Sequence, residues 1–242
     1  MSLIERTLSI DGLAMHFVEW GRPDGRPLVL LHGITGHART WDRLAGDLAG
    51  RFRVLALDQR GHGDSAAAPD GDYRVETMAG DLAGFVDQLG LGRFALLGLS
   101  MGGRVAIAYA GAHPERVERL VIVDIGPDIH PTGLERVRAM IAGAPERIES
   151  EEEALELVRR ANPRYDEIEL RQRVVHGLRR GADGALTWKY DRALRDMMRG
   201  GGRRDIVDLW PPLGGITCPT LVVRGAESDI LSPEIGKRML ER

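Results

Sequence analysis

Five short, almost unbroken apolar runs constrain this chain more than any other feature: Leu28 to Leu31 (LVLL), Val54 to Leu57 (VLAL), Phe94 to Leu97 (FALL), Leu120 to Val123 (LVIV) and Leu221 to Val223 (LVV). A strand with one face in water alternates apolar and polar residues, so runs without alternation predict strands covered on both faces, as in a parallel sheet. Trp41 to Leu48, Val75 to Leu89 and Met101 to Ala112 lie between these runs and carry helical periodicity. Strand alternating with helix requires right-handed crossovers with helices on both faces. The expected class is therefore α/β, with a mostly parallel, doubly wound sheet. Ahead of it, Thr7 to Trp20 alternates around Asp11-Gly12 and predicts an N-terminal β-hairpin.

The alternation stops between Pro127 and Trp210. Leu134 to Ile141, Glu152 to Arg160, Ile168 to Arg179 and Tyr190 to Met198 read as helices with no strand among them. This predicts a helical insertion, closed by the breakers Gly200 to Gly202 and Pro211-Pro212, that returns the chain to the sheet near Ile216. Residues 1–126 and 213–242 then form one core and residues 127–212 a cap over it. The many Arg and Glu residues of the insertion read as solvated helix faces. With 33 Lys and Arg against 36 Asp and Glu, the chain lacks the basic excess of a general nucleic-acid binder. No apolar stretch reaches the length of a membrane span, and the first ten residues do not have the pattern of a secretory leader. One cysteine, Cys218, allows no intrachain disulfide and no multi-thiolate site. These features suggest a cytoplasmic protein acting on a small molecule, with no nucleic acid and no membrane as partner.

Chemistry concentrates at Gly98-Leu99-Ser100-Met101-Gly102. The string satisfies G-x-S-x-G at the end of an expected strand and the start of an expected helix, the context in which a sharp turn thrusts a serine hydroxyl above a sheet. Gly98 and Gly102 let strand and helix approach without Cβ clashes. A serine in this position can also simply cap a helix. After the first buried run comes His32-Gly33-Ile34-Thr35-Gly36, and after the second comes Asp58-Gln59-Arg60-Gly61-His62-Gly63-Asp64-Ser65. Asp58 and Arg60 could pair to hold the latter loop. Its His and Asp lack the third and fourth companions that a metal site needs, so no metal is expected.

In these motifs and their order, from about Leu28 to Pro127, the chain resembles the alpha/beta-hydrolase superfamily with a serine nucleophile and a cap. The resemblance implies Ser100 as nucleophile, backbone N–H groups of Ile34 and Met101 as oxyanion donors, and no cofactor. It implies a loop-fixing role for His32, with Gly33, Gly98 and Gly102 as close-approach positions. For the acid it leaves two residues. Asp229 follows the last buried run, where the superfamily most often keeps its carboxylate, but Ser228 stands at the usual spacing from Gly225. Asp124 ends the strand next to the nucleophile's and is favoured, as in the acetamidomethylene-succinate hydrolase branch, which the chain resembles in His32 to Thr35, Asp58 to Gly63 and Val123 to Ile129.

The superfamily's triad histidine comes last in chain order. All seven histidines here (His16, His32, His37, His62, His113, His130 and His176) precede the last buried run. The reading is thus of a truncated form without its last strand and helix, impaired or inactive as it stands because a serine without a base is a weak nucleophile. His37 and His130 are the available substitutes. In full form the implied activity is cleavage of a carboxylic ester, lactone or amide-like bond through an acyl-enzyme. The alternative is a non-catalytic module that binds a small molecule.

Overall fold

A computed structural model describes residues 3–199 and 207–242 of the chain. The hairpin forms as expected: β1 (Leu3–Ile10) pairs antiparallel with β2 (Leu13–Trp20) across a turn in which Asp11 and Gly12 have positive φ. Then come β3 (Arg26–Leu31), a 3-10 turn (Ala38–Trp41), α1 (Asp42–Leu48), β4 (Phe52–Leu57), α2 (Val75–Gln88), β5 (Phe94–Leu99), α3 (Met101–Ala112) and β6 (Val117–Val123). The chain returns through α8 (Trp210–Gly214), β9 (Thr220–Val223) and α9 (Pro233–Leu240). The seven-stranded sheet has the order β1-β2-β4-β3-β5-β6-β9, antiparallel through β1, β2 and β4 and parallel from β4 to β9.

The unbroken apolar runs are explained by two cores, one on each face. On β3, Val29 and Leu31 join a cluster with Leu82 and Phe85 of α2 and Ile107 of α3, while Leu28 and Leu30 join another with Trp41 of the 3-10 turn and Ala45 of α1. β4 divides in the same way, Leu55 and Leu57 to one cluster and Val54 and Ala56 to the other. Successive side chains point to opposite faces, so every residue of such a strand must be apolar. Burying each leucine contributes roughly 1.5–3 kcal/mol. The edge strand β9 is less covered, with Leu221 and Val223 exposed.

Between β6 and α8 lie α4 (Pro131–Gly143), α5 (Glu151–Ala161), α6 (Glu167–Gly177) and α7 (Arg192–Arg199). α5 and α6 begin with Ser150 and Asp166, whose side chains accept from backbone N–H groups of Glu153 and Glu169. The expectation of helices alone is corrected here. β7 (Leu178–Arg180) and β8 (Leu186–Trp188) make a small antiparallel hairpin, because α6 ends at Gly177 and Gly184 turns the chain at positive φ. Three-residue strands leave too short a pattern to be read by period. Pro211-Pro212 likewise starts a short helix rather than a loop, since prolines are tolerated in a first turn. The breakers Gly200 to Gly202 lie outside the described residues.

Candidate active site

The turn from β5 to α3 follows from its glycines. A Cβ on Gly98 would lie 2.3 Å from the Gly102 carbonyl oxygen, and one on Gly102 would lie 2.5 Å from that of Leu31. Only bare backbone fits at either position. The compression leaves Ser100 at φ 50° and ψ −115°, a conformation that side-chain-bearing residues rarely adopt, with its N–H donating to Val123 O at 2.9 Å. Its side chain does not cap the helix. Ser100 instead lines a cavity of about 360 Å³ between the carboxyl ends of the strands and the insertion.

Among the described residues, four non-glycines have positive φ: Asp11 in the hairpin turn, Thr35, Ser100 and Asp124. The last three line this one cavity. Strained backbone of this kind costs on the order of 1–3 kcal/mol per residue and gathers where geometry serves function. Gly33 brings its loop against the serine, since a Cβ there would sit 3.3 Å from Ser100 Cβ. Ile34 lines the cavity, whereas the Met101 side chain packs towards the core, leaving only its backbone N–H at the turn. Neither N–H donates to another protein group among the described residues.

His32 is fully buried and fixes this loop. Its Nε2 accepts from the Gln59 N–H at 3.0 Å and its Nδ1 donates to Gly33 O at 2.8 Å, while its own carbonyl accepts from the Gln59 side chain and the Gly102 N–H. Burial, with the nearby His62, pushes its pKa down to about 3, so the ring stays neutral. The expected Asp58–Arg60 pair is not formed. Arg60 pairs instead with the buried Asp81 on α2 through bonds of 2.5 and 2.6 Å, while Asp58 bonds to His16 on β2 and to the backbone N–H groups of Ala38 and Asp64. Donor atoms of His16, Asp58 and Asp64 lie within 4.8 Å of one another, but Asp58 is already bonded to His16 and Asp64 to Lys189.

Asp124, at the end of β6, lines the cavity, and its Oδ1 accepts from the Gly225 N–H at 3.0 Å. Asp229 turns away into two bonds, of 2.6 and 2.7 Å, with Arg136 of α4. Among the described residues no histidine hydrogen-bonds to Ser100 or Asp124. His37 is buried and lines the cavity, and His130 is exposed outside it. Sequence reasoning did not find the insertion's contribution to the lining, which includes Arg173, Tyr165, Trp188 and Tyr190. Nothing in the local pattern distinguishes these residues from their solvated neighbours.

Comparison with known proteins agrees with this fold. The family described as alpha/beta hydrolase fold matches residues 26–242. This chain belongs to that family. The hydrolase is 32% identical to the 3-hydroxybutyrate-oligomer hydrolase of Cupriavidus necator, over 94% of this chain and 82% of the relative. It is 31% identical to the 2-(acetamidomethylene)succinate hydrolase of Mesorhizobium japonicum, over 95% of this chain and 80% of the relative. Among solved structures it is similar to an alpha/beta hydrolase from Novosphingobium aromaticivorans, with a TM-score of 0.86 and 32% identity over 99% of this chain and 87% of that one. An E-2-(acetamidomethylene)succinate hydrolase superimposes with a TM-score of 0.89 and 27% identity, with the same coverage of both chains. No helix among the described residues of the hydrolase is long and apolar enough to cross a membrane.

Proposed function

We propose that this hydrolase uses Ser100 to cleave a carboxylic ester, lactone or amide-like bond of a small molecule through an acyl-enzyme. The observation that carries this reading is the convergence of strained Thr35, Ser100 and Asp124 on one cavity. The Ser100 oxygen adds to the carbonyl carbon while its proton passes to a base. The carbonyl oxygen, now negative, is received by the N–H groups of Ile34 and Met101, whose positions are fixed before reaction by Gly33, Gly98 and Gly102. The tetrahedral adduct expels the protonated alcohol or amine, and water releases the acid by the same sequence.

Asp124 is the carboxylate assigned to orient an imidazole. It ends the strand beside that of Ser100, and the Gly225 N–H holds it in place. Residues 127–212 act as the cap that roofs the pocket over the core of residues 1–126 and 213–242. With no imidazole in hydrogen-bonding position to Ser100 among the described residues, the 242-residue chain transfers the Ser100 proton to solvent and turns over slowly.

Two measurements test this. With imidazole supplied as the base, a fluorophosphonate probe labels Ser100 in the wild type and not in Ser100→Ala. Added imidazole accelerates 4-nitrophenyl butyrate hydrolysis above the solution background in the wild type, and the gain vanishes in Ser100→Ala. Absence of both effects overturns the serine mechanism in favour of a non-catalytic module that binds a small molecule.

A further inference from the structure

A second cavity, of about 250 Å³, lies where the loop after β4 meets the insertion. Its two walls differ in kind. The loop contributes only Gly61, Gly63, Ser65 and Ala67. Both glycines have positive φ, and a Cβ on Gly61 would lie 2.5 Å from the Tyr73 ring while one on Gly63 would overlap the Asp58 carboxylate, so neither position accepts a side chain. The insertion contributes three cations, Arg179, Lys189 and Arg192, against one carboxylate, Asp191.

The cations stand on a fixed backbone, yet their donors are incompletely matched. Arg179 pairs with Thr187 across the β7–β8 hairpin, and residues 189–191 are tied to the loop by the Gly63 N–H donating to Lys189 O and the Asp191 N–H donating to Gly61 O, each at 2.7 Å. Arg179 forms no ion pair with any described residue, and among these residues its guanidinium donates only to Gly63 O, at 3.4 Å. Lys189 Nζ donates one N–H to Asp64 at 2.7 Å and has two more. Arg192 comes no closer than 3.5 Å to a described carboxylate, that of Asp196. Asp191 is engaged already, accepting from the Tyr73 hydroxyl and the Ala193 N–H. Free donors thus converge from β7, from the β8–α7 connection and from the start of α7. A carboxylate presents its acceptors in one plane, whereas a tetrahedral oxyanion presents them in every direction and carries the larger charge that such a set of cations favours.

We propose that this second cavity binds a phosphate group, as the free ion or as a monoester of a small molecule, with Arg179, Lys189 and Arg192 as the side chains that hold it. Trp188 and Tyr190, whose rings stack with centroids 6.3 Å apart and planes at 16°, line both this cavity and the one that holds Ser100. The indole therefore stands beside the bound phosphate and reports its arrival. The site does not depend on the chemistry assigned to Ser100.

Calorimetric titration of the 242-residue protein with inorganic phosphate, at an ionic strength held constant with sodium chloride, reads the site without turnover. Phosphate binds saturably. Arg179→Gln weakens binding by about tenfold to a hundredfold, the range of a charge-assisted hydrogen bond. Arg179→Lys, which keeps the charge and loses the fork, restores part of it. Arg192→Gln weakens binding about fivefold, as removal of one solvent-screened charge requires. Glycerol 3-phosphate separates the two sources: binding at least as tight as that of inorganic phosphate assigns the site to a monoester, weaker binding assigns it to the free ion, and either upholds it. Tryptophan emission changes during the phosphate titration, and the change is absent in Trp188→Phe. The proposal is overturned by lack of saturable binding, by an affinity unchanged in Arg179→Gln and Arg192→Gln variants of normal circular dichroism, or by an emission change that persists in Trp188→Phe.

Discussion

Removing the Asp58 carboxylate should destabilise the protein more than any surface ion pair, because three donors from separate parts of the chain depend on it. Its Oδ1 accepts from the Ala38 N–H at 2.5 Å, and its Oδ2 accepts from the Asp64 N–H at 2.9 Å and lies 2.7 Å from His16 Nδ1. The residue is 2% exposed, so Asp58→Ala leaves these donors with little access to water. Each stranded donor costs about 1–3 kcal/mol, and partial relaxation brings the total to about 3–5 kcal/mol. In a chain of this size that corresponds to a Tm lower by roughly 6–20 °C.

The pH dependence follows from the same bonds. Burial alone would raise the Asp58 carboxyl, but the His16 bond and the Asp64 and Ala38 N–H groups hold it below its ordinary value. That contribution is complete above the unfolded pKa, near 4, and is lost as pH falls through the depressed folded value. Burial pulls the His16 imidazole down, yet its bond to Asp58 carries it above its ordinary value. Its contribution is complete below the unfolded pKa, about 6.5, and is lost as pH rises through the raised folded value. Urea unfolding followed by tryptophan fluorescence should therefore separate wild type from Asp58→Ala most widely between about pH 4 and 6.5. A difference under about 1 kcal/mol, or one that does not vary with pH, refutes the reasoning.

Two further perturbations probe the roof and the acid. Arg104 is buried on α3, where burial pushes its pKa down to about 10, and it donates to the carbonyls of Gly126, Pro127 and Val207. Arg104→Met strands these acceptors at a cost of about 2–4 kcal/mol and should hasten limited proteolysis at the ends of the insertion; an unchanged digestion pattern contradicts that role. Asp124→Asn should cut imidazole-dependent ester turnover at least about tenfold, whereas Asp229→Asn should change it less than about twofold. The opposite order would assign the acid to Asp229.

What the sequence revealed and what it concealed divide along physical lines. The buried strands were legible because coverage on both faces removes polar residues from a contiguous run, as in Leu28 to Leu31. The turn at Ser100 was legible because clashes at Gly98 and Gly102 arise within a few residues of it. The partner of Asp58 was not, since His16 lies on an antiparallel strand 42 residues away and nothing local marks it. Arg60 meets Asp81 of α2 across a gap of 21 residues, again with nothing local to mark it. Tyr165, Arg173 and Trp188 reach the cavity only through the folding of the insertion, a property of folded surroundings alone.

Arg104 lies one helical turn beyond Ser100 and grips the chain both where it leaves the sheet and where it comes back. Ser100 and both described ends of the insertion are thereby fastened to one helix. On the proposed reading, substitutions at residue 104 would disturb the aim of the hydroxyl and the seating of the insertion together.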